Sequence, residues 1–469
     1  MSSAATPSLT SQVAGFAAGL RLDDVPEAVV SKAKLHVLDT VGCGIAGSGC
    51  DLTARALAFL DLEHGPGPCP VLGTGRRYGP AAAAFANATS MNALDFDDGF
   101  EVEGRGMGHP GATIIAAALS FAASRCVSGP DFLVAIIAGY EINNRLIRSV
   151  QPSIERFRQV YGVCQHQSVG AAVACAKLAG LSAAEIENVL GLAGTLANVP
   201  SLRKYNWDRR PLMSLKDFNA PAAEAGVRAV QLHEVGFVGA KDVFDGQSGL
   251  WRMLGSDRFA PDLLVGGLGR DLTLGQNAIK PYPTCRWMHA ALEAFETVVA
   301  QNDLAGRVER VMVLTSAGLA RDFMDRSPRT TVDAQFSFPF AIAALSLGLA
   351  PAERWYRPET LDSEVLHAIA AKVEAAVDPA VDELMGSARR PAGRVIVSSG
   401  GRDYDSGLIA YPRGGAERPL DASEVLLKFR DNTRPRLGSA AEILARSLLD
   451  LDGASDVQSV WRTFVRSGE

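Results

Sequence analysis

The pattern of apolar and polar positions divides the chain into a long helical part and a shorter mixed part. From residue 26 to about residue 270, Ala-rich segments repeat their apolar residues with a helical period and are interrupted by Gly and Pro. The pattern predicts packed helices, including one over 132–150, one over 170–178 and one over 221–235. Small residues on these segments allow helix axes to approach closely, which favours a compact all-α core.

Helix-end signals and side-chain spacing support these helices. Ser182 and Glu185 stand three positions apart before an apolar run, which predicts a capping box at a helix N-terminus. Glu141 and Arg145 stand four positions apart, so they are predicted to face each other on one helix surface.

After residue 270 the pattern changes to that of a smaller α+β unit. Residues 308–316 contain a short, nearly continuous apolar run typical of a buried strand, and 394–398 with 404–409 predict a hairpin across Gly400 and Gly401. Two further helices are predicted over 423–430 and 439–449, the second with a capping box of Ser439 and Glu442.

We expect these last helices to rejoin the helical part, so the predicted fold class is mainly α. A large all-helical domain is built from both chain ends, residues 1–272 and 413–469, and a smaller α+β lid domain over 273–412 is inserted between them. The chain has 469 residues, of which 47% are hydrophobic, and this is sufficient for two or three domains with sizeable cores.

Composition and charge argue against several classes of partner. The chain has 46 basic and 52 acidic residues, a net charge of −6 and no long run of Lys or Arg, so we expect no nucleic acid partner. It has neither a signal-peptide pattern near residue 1 nor 18 consecutive uncharged apolar residues, so we expect a cytoplasmic protein that does not enter a membrane. The seven cysteines are scattered without a C-x-x-C pair and are predicted to be free thiols.

Motifs for common cofactors and metals are missing from the sequence. Gly73, Gly75 and Gly79 do not have the spacing of a dinucleotide fingerprint and are predicted to form a turn. The sequence contains no H-E-x-x-H, G-x-S-x-G or P-loop motif and no cluster of Cys and His. We therefore expect no metal and no cofactor.

The first candidate site combines an acidic run over 94–99 with a histidine in a glycine-rich loop. Asp95, Asp97 and Asp98 supply carboxylates, and His109 stands where an apolar helix begins. Carboxylates and imidazole can accept and donate protons, and a helix N-terminus favours an anion. The alternative is that the aspartates are capping or solvated residues and that His109 is an ordinary loop residue.

The second candidate is a proline-stiffened basic segment over 279–289. Pro281 and Pro283 restrict the backbone. Lys280, Arg286 and His289 offer positive charge to an acidic ligand. The alternative is a rigid interdomain linker with solvated charges.

The third candidate is Lys216, which precedes the Ala-rich helix predicted over 221–235. A lysine beside an aspartate, here Asp217, is commonly only a surface ion pair. The basic and aromatic run 203–210 just before it is predicted to be a solvated surface loop, with a lid or dimer loop as the alternative.

Taken together, these segments resemble the MmgE/PrpD family, whose members include 2-methylcitrate dehydratase, cis-aconitate decarboxylase and iminodisuccinate epimerase. The resemblance covers nearly the whole chain. The segments that carry it are, in chain order, Ala33-Lys34, Leu38-Asp39-Thr40-Val41-Gly42, Leu94-Asp95-Phe96-Asp97-Asp98, Gly108-His109-Pro110-Gly111, Gly139-Tyr140-Glu141, Lys216, Gly236-Phe237-Val238-Gly239, Lys280-Pro281-Tyr282-Pro283-x-Cys285-Arg286-x-x-His289, Ala334-Gln335-Phe336-Ser337-Phe338-Pro339 and Tyr411-Pro412-Arg413-Gly414.

The resemblance implies a homodimer with its active site in the cleft between the two domains, and no metal, iron–sulfur cluster or organic cofactor. The family's active-site aspartate falls on Asp95, its loop histidine on His109, its helical-domain lysine on Lys216 and its lid lysine on Lys280. The positions that we assign to substrate binding around them are Asp98, Tyr161, His166, Arg286 and His289.

Departures from the decarboxylase and dehydratase pattern affect the expected site. Gly99 replaces a polar residue, often Thr, and the loop over 101–107 is longer. A second histidine of the family falls on Tyr161, with His166 as a substitute, and an expected tyrosine is Phe340. Each replacement removes a polar contact or a proton donor, so we expect a substrate other than cis-aconitate.

The activities of the family share the formation of carbanion character next to a carboxylate, which requires a base and neutralisation of charge. We assign Asp95 and His109 jointly as the acid/base pair, and the cationic side chains to charge neutralisation. The leading hypothesis is a cofactor-independent lyase, a dehydratase acting on a small di- or tricarboxylate of the methylcitrate type. The alternatives are an isomerase or epimerase of a small dicarboxylate and a catalytically silent binding homologue.

Overall fold

The computed structural model describes residues 7–161, 166–198, 201–202 and 209–460. Its larger unit is helical and takes residues from both ends of the chain. The helices of this unit are Leu9–Gly19, Glu27–Gly47, Asp51–Leu60, Pro80–Asn92, Pro110–Ala122, Gly129–Ser149, Ile154–Gln159, Gln167–Leu178, Ala183–Thr195, Asn219–Glu234, Leu250–Met253, Pro261–Val265, Ala422–Leu437 and Ala440–Leu449.

Helices of the larger unit pack closely where small residues meet. A Cβ atom added to Gly139 would lie only 2.8 Å from the carbonyl oxygen of Gly170 on the neighbouring helix. A Cβ atom added to Gly226 would lie even closer to its neighbour, 2.4 Å from the Cβ atom of Ala171. A larger residue at either position would force the helices apart, because protein interiors leave few voids. The predicted close packing of helices is confirmed at these contacts.

The helices predicted over 132–150, 170–178 and 221–235 are confirmed, each with slightly different bounds, in the helices that start at residues 129, 167 and 219. The predicted capping box is present, because Ser182 and Glu185 exchange hydrogen bonds. Glu141 and Arg145 form the predicted ion pair in a buried position. The same Glu141 accepts hydrogen bonds from Thr273, so the pair also fixes the segment that leads into the smaller unit.

The C-terminal helices return to the larger unit, as predicted. Phe429 and Leu444 belong to the same hydrophobic core as Val13 near the other end of the chain. The ring of Phe429 lies directly over Gly42, where no side chain intervenes. Both chain ends therefore stabilise one core.

The capping box predicted for Ser439 and Glu442 is wrong. Ser439 already has helical backbone angles (φ −68°, ψ −21°), so its hydroxyl does not cap the helix. The carboxylate of Glu442 instead pairs with Arg430 on the preceding helix. A capping box does occur one helix earlier, between Asp421 and Glu424.

The smaller unit is α+β and forms a second core. Its four-stranded sheet has the order Arg402–Asp405, Arg394–Ser399, Arg310–Thr315, Val373–Val377, and only the last pair of strands is parallel. Its helices are His289–Gln301, Ala317–Asp322, Thr331–Gln335, Phe338–Ser346, Pro358–Leu361, Glu364–Ala370 and Pro379–Ala388.

Two details of this sheet differ from the sequence prediction. The strand Arg310–Thr315 is not buried on both faces, because burial alternates along it and only one face is covered. The hairpin strand is Arg402–Asp405 instead of 404–409, since Gly400 and Gly401 form a two-residue turn with positive φ (58° and 72°) that lets pairing begin at once.

The larger unit is not entirely helical, which corrects one detail of the prediction. Short strands pair Cys69–Pro70 with Arg77–Tyr78, and Val160–Tyr161 with Ser201–Leu202. A third small sheet joins the strands Arg105–Gly106, Gly99–Val102 and Asn277–Ala278 in that order. This last sheet crosses the predicted boundary at residue 272, and the exact domain bounds stay a prediction.

None of the helices in the described part of the chain combines the length and the apolar character that crossing a bilayer requires.

Candidate active site

The acidic run forms a buried turn between helix Pro80–Asn92 and strand Gly99–Val102. Asp95 has a left-handed backbone conformation (φ 51°), which costs a residue with a side chain about 1–3 kcal/mol. Lys280 donates to this residue twice, to a carboxylate oxygen at 2.6 Å and to the carbonyl oxygen at 2.9 Å. The buried ammonium group thus holds the turn and balances the charge of the Asp95 carboxylate.

A short sheet explains how Lys280 reaches Asp95 from a distant part of the chain. Gly99 pairs antiparallel with Ala278. Residues that precede Gly99 and residues that follow Ala278 therefore run side by side, which places Lys280 next to the acidic turn. The adjoining residue Ile279 is fixed by its own backbone hydrogen bond.

His109 is held in place by its backbone at the start of helix Pro110–Ala122. Its N–H donates to the side-chain oxygen of Gln167 at 2.8 Å, and the amide nitrogen of Gln167 donates back to the carbonyl of His109 at 3.0 Å. Gln167, on helix Gln167–Leu178, also bonds to Thr113 of helix Pro110–Ala122 and to Asn219 of helix Asn219–Glu234. Three helices therefore fix the position of the imidazole.

The imidazole of His109 lies between two carboxylates. Its Nδ1 is 3.4 Å from Asp97 and its Nε2 is 3.8 Å from Asp217. Burial and the charge of Lys280 lower the pKa of His109, whereas Asp97 and Asp217 raise it, and the net shift is upward. The ring therefore keeps its proton to a higher pH than an ordinary histidine and is suited to donate it.

Asp217 lies in the short turn Lys216–Phe218 immediately before helix Asn219–Glu234. Asp217 and Phe218 both have positive φ, 56° and 54°, which is unfavourable for residues with side chains. Strain of this kind is commonly retained at functional sites. The side chain of Lys216 itself lies outside the part of the chain that the structure describes.

Asp95, His109 and Asp217 converge on one point of the site. One carboxylate oxygen of each aspartate and one ring nitrogen of His109 lie within 4.8 Å of one another. The three residues come from separate parts of the sequence, and two of them have left-handed backbone conformations. At this spacing, a proton acceptor and a proton donor can both reach a single bound molecule.

The same three atoms match a divalent metal in type and spacing. Two observations weigh against that use. The ammonium group of Lys280 already contacts Asp95 at 2.6 Å. The upward pKa shift of His109 favours the protonated ring, which cannot bind a metal. The expectation of a metal-free site therefore stays our prediction.

Asp98 lies behind the loop of His109 and is fully buried. Its carboxylate accepts hydrogen bonds from the N–H of Gly111 at 2.7 Å and from the hydroxyl of Tyr140 at 2.8 Å, and Nδ1 of His36 lies at 3.0 Å. A Cβ atom at position 111 would lie 2.7 Å from this carboxylate, so only glycine fits there. Asp98 thus fixes the first turn of the helix after His109, and a contact with substrate stays a prediction.

Arg286 is buried, and its guanidinium group contacts protein groups. It donates to Glu101 at 2.6 Å, to the carbonyl of Arg413 at 2.6 Å and to the carbonyl of Pro412 at 3.1 Å. These hydrogen bonds join the basic segment 279–289 to the strand that follows the acidic turn and to the chain that returns to the helical unit. This geometry favours a structural role at the edge of the site over direct binding of substrate.

His289 is buried beside Arg286, with its Nδ1 at 3.1 Å from the guanidinium group and its Nε2 at 3.2 Å from the carbonyl of Thr284. Burial, followed by the charges of Arg286 and Lys280, lowers the pKa of His289 well below its ordinary value. The ring is therefore neutral at physiological pH and accepts a hydrogen bond from Arg286.

His166 stands at the N-terminus of helix Gln167–Leu178 and is buried. Burial lowers its pKa to about 3, so the imidazole is neutral at physiological pH. Its neighbour in sequence, Gln167, is the residue that holds His109. The backbone of Tyr161 pairs with Ser201 in a short strand, and the side chain of Tyr161 lies outside the described residues.

The two other departures from the family pattern lie within the described structure. An added Cβ atom at Gly99 would meet the carbonyl of Gly108 at 3.5 Å, an ordinary contact, so the strand has room for a side chain that this chain lacks. Phe340 is buried and stacks on Tyr356, with 6.0 Å between the ring centroids. The hydroxyl of Tyr356 donates to the carbonyl of Pro283, so this phenol stabilises the basic segment 279–289.

Arg210, at the end of the basic run, corrects the prediction of a solvated loop for that residue. Its guanidinium group donates to the carboxylate of Asp333 at 2.9 Å and to the carbonyls of Asp322 and Phe336 at 3.0 Å. These acceptors all belong to the smaller unit, so Arg210 connects the two units. Residues 203–208 lie outside the described residues.

Sequence reasoning missed two partners of His109, namely Asp217 and Gln167. Asp97 belongs to the acidic run of the first candidate site, and its carboxylate lies 3.4 Å from the imidazole. For Asp217 the sequence predicts only a surface ion pair with Lys216. For Gln167 the sequence offers no local signal, because its role depends on the meeting of three helices.

Comparison with known proteins gives matches along most of the chain. The family model described as the MmgE/PrpD N-terminal domain matches residues 11–261, and that of the MmgE/PrpD C-terminal domain matches residues 282–451. The chain is 25% identical to the cis-aconitate decarboxylase-like protein oryM of Aspergillus oryzae over 96% of each chain.

Two further relatives match over shorter regions. The cis-aconitate decarboxylase of Aspergillus terreus is 27% identical over 62% of this chain and 60% of its own length. The human cis-aconitate decarboxylase is 24% identical over 68% of this chain and 63% of its own length. These alignments therefore span less than two thirds of either relative.

Proposed function

This chain belongs to the MmgE/PrpD family, and on that premise we propose that it is a lyase that moves a proton at the carbon next to a carboxylate of a small di- or tricarboxylate. Relatives named cis-aconitate decarboxylase support lyase chemistry at the level of the family. Dehydration of a substrate of the methylcitrate type is the reaction that we favour for this chain.

The observation that carries the proposal is the meeting of Asp95 and His109. One carboxylate oxygen and one ring nitrogen lie within 4.8 Å of each other, and both residues match the acid/base positions of the family. Loss of either position would be expected in a catalytically silent homologue, and neither is lost. We therefore rank the silent homologue below an enzyme.

In the proposed mechanism Asp95 accepts a proton and His109 donates one. The carboxylate of Asp95 removes the proton from the carbon next to the substrate carboxylate. The carbon–oxygen bond of the leaving hydroxyl breaks, and the protonated imidazole of His109 gives its proton to that oxygen, so that water leaves. The carboxylates of Asp97 and Asp217 stabilise the protonated ring before the transfer.

Negative charge builds on the substrate during proton removal and requires cations nearby. The ammonium group of Lys280 lies in the site, and we propose that Lys216 supplies a second positive charge. Arg286 contributes indirectly, because its donors hold Glu101 and two backbone carbonyls. We retain Asp98, Tyr161, His166 and His289 as proposed substrate-binding residues.

The substrate is expected to differ from cis-aconitate. The polar side chain missing at Gly99 and the hydroxyl missing at Phe340 remove contacts that the family pattern would provide. In a buried site, hydrogen-bond donors and acceptors must match those of the substrate. A substrate with a different distribution of hydroxyl and carboxylate groups therefore fits the proposal better.

The test is a substrate screen by proton NMR in deuterium oxide with citrate, 2-methylcitrate, cis-aconitate and iminodisuccinate. We expect conversion of at least one hydroxylated substrate, with loss in the His109→Gln variant. Exchange of a substrate proton for deuterium without a new product would instead favour the isomerase or epimerase. If none of these carboxylates is converted and none exchanges a proton for deuterium, the proposed function is contradicted.

We also propose a homodimer on the basis of the family resemblance. Light scattering coupled to size-exclusion chromatography should give twice the mass of one chain at assay concentrations. A fully active monomer would contradict this part of the proposal.

A further inference from the structure

Lys428 is a second lysine that contacts the acidic turn, at a residue next to the one that Lys280 contacts. It lies on helix Ala422–Leu437 of the C-terminal return, 332 positions from Phe96, and its side chain is buried. Its ammonium group donates to the carbonyl oxygen of Phe96 at 2.6 Å and lies 4.0 Å from the centre of the Phe96 ring. Lys428 therefore contacts the residue between Asp95 and Asp97.

The second partner of Lys428 is Asp39, at 2.7 Å. Asp39 lies on helix Glu27–Gly47 and is buried. Burial, with smaller contributions from the charges of Asp98 and Asp97, raises the pKa of Asp39 to about 6 against the opposing effect of Lys428. The carboxylate of Asp39 thus depends on Lys428 to remain ionised in the protein interior.

The two lysines hold consecutive carbonyl groups of one turn. Lys280 donates to the carbonyl of Asp95, and Lys428 donates to the carbonyl of Phe96. The left-handed conformation of Asp95 is unfavourable by itself, so the turn keeps its shape only while such contacts persist. If the Phe96 carbonyl lost its donor, the peptide between Phe96 and Asp97 would be free to rotate.

We propose that Lys428 is a positioning residue for the reaction, which fixes the peptide of Phe96 and thereby the carboxylates of Asp95 and Asp97, without touching the substrate. The proposal rests on the proposed function, since it assumes that these carboxylates serve proton transfer. It also gives a role to Asp39, which belongs to a family-like segment of the sequence and lies outside the acid/base pair.

A small displacement of the turn should affect catalysis strongly. A misplacement of about 1 Å in a catalytic group can lower a rate about 100-fold, because the donor and the acceptor must both be aligned. Asp97 contacts the imidazole of His109, so the same displacement should change the titration of His109. A residue that only stabilised the fold would lower the melting temperature without either effect.

The experiment compares three variants with the wild-type chain. Lys428→Met removes the ammonium group and leaves Asp39 without its cation, so it risks unfolding. The double variant Asp39→Asn with Lys428→Met removes both charges, leaves the net charge unchanged and tests the lost hydrogen bond to Phe96 in a folded protein. Lys428→Arg keeps the positive charge and should restore part of the activity.

In the folded double variant we expect kcat to fall at least tenfold, with KM within about twofold of wild type, because substrate binding is preserved while the acid/base pair is displaced. The matched control is Lys177→Met, which removes another part-buried lysine that donates to a backbone carbonyl, that of Ala17. This control should keep the wild-type kcat. A folded double variant with wild-type kcat and pH profile would overturn the proposal.

A measurement without substrate separates this proposal from the proposed function. The pKa of His109, followed by NMR of the imidazole, should differ between the double variant and both the wild type and Lys177→Met. If the wild-type enzyme converts no carboxylate but this shift is seen, the positioning role stands and the proposed function fails. An unchanged His109 titration in the folded double variant would overturn the positioning role whatever the activity.

Discussion

The ammonium group of Lys280 donates to both the carboxylate and the backbone carbonyl of Asp95. Lys280 and Asp95 are 185 positions apart in the sequence, and both side chains are buried. One comes from the helical unit and the other from the segment that opens the smaller unit. The contact therefore joins the two units at the candidate acid/base pair, so the position of the smaller unit affects the geometry of that pair.

Removing one partner of this ion pair should damage both stability and activity. Lys280→Met leaves a buried carboxylate without its cation, and Asp95→Asn leaves a buried ammonium without its anion. Either change is expected to lower the free energy of unfolding by about 3–5 kcal/mol. Asp95→Asn should also lower kcat by roughly 10²–10⁴-fold if Asp95 is the base. Denaturant unfolding and steady-state kinetics measure the two effects.

The double variant Asp95→Asn with Lys280→Met separates stability from catalysis. Because both charges are removed, its loss of stability should be smaller than that of Lys280→Met alone. Its activity should remain as low as that of Asp95→Asn. Recovery of kcat in the double variant would show that Asp95 serves only to neutralise Lys280.

The protonation of His109 should set the alkaline limit of activity. Its pKa is raised in the folded protein, so protonation of His109 stabilises the fold. This stabilisation is fully present below the unfolded pKa of about 6.5 and is lost as the pH rises through the folded pKa. If the protonated ring donates to the leaving group, kcat should fall over the same range. A pH profile of kcat, with His109 titrated in parallel by NMR, tests this.

The variant Asp97→Asn tests the direction in which the alkaline limit of activity should move. Asp97 raises the pKa of His109, so its neutralisation should move the alkaline limb of kcat to lower pH. An equal displacement of the NMR titration would link the limb to His109. A limb that stayed in place while the His109 titration moved would assign the activity limit to another group.

Chelation tests whether the cluster of Asp95, His109 and Asp217 works without a metal. The ammonium group of Lys280 already supplies positive charge at Asp95, and the raised pKa of His109 favours its protonated ring. Prolonged treatment with EDTA should therefore leave kcat unchanged, and added Zn²⁺ or Mn²⁺ should not increase it. Loss of activity on chelation, with recovery on addition of one metal, would contradict the mechanism.

Much of the fold could be predicted because periodicity and end signals are local properties. The helix Gly129–Ser149 and the capping box of Ser182 and Glu185 follow from the sequence pattern, whereas the return of the C-terminal helices to the helical unit is an expectation that periodicity alone cannot show. The box predicted at Ser439 failed because an arginine of another helix competes for Glu442. A local motif cannot show such competition.

The candidate site could be predicted only in part. The family resemblance supplied Asp95, His109 and Lys280, and the structure brings these three together. Asp217 approaches His109 because of a left-handed turn, which the identity of the residue does not reveal. Lys428 lies in a helix whose local sequence resembles any amphipathic surface helix, and its burial against Phe96 depends on how the chain ends meet.

Buried neutral histidines should make the protein sensitive to acid. Burial lowers the pKa of His36, His166 and His289, that of His166 to about 3. Below the unfolded pKa of about 6.5, the unfolded chain binds protons that the folded protein does not. Stability should therefore fall as the pH decreases from about 6.5, by up to about 1.4 kcal/mol per pH unit for each such histidine, until the pH reaches the folded pKa of that histidine.

His166 allows this slope to be tested at a single residue. The variant His166→Gln should flatten the acid dependence by about one proton, as measured by denaturant unfolding at a series of pH values between about 7 and 4. The matched control is Val169→Ala on the same helix, also buried, which should lower stability equally at every pH. An unchanged slope in His166→Gln would mean that His166 gains its proton in the folded protein, and the assignment of a neutral imidazole beside Gln167 would be wrong.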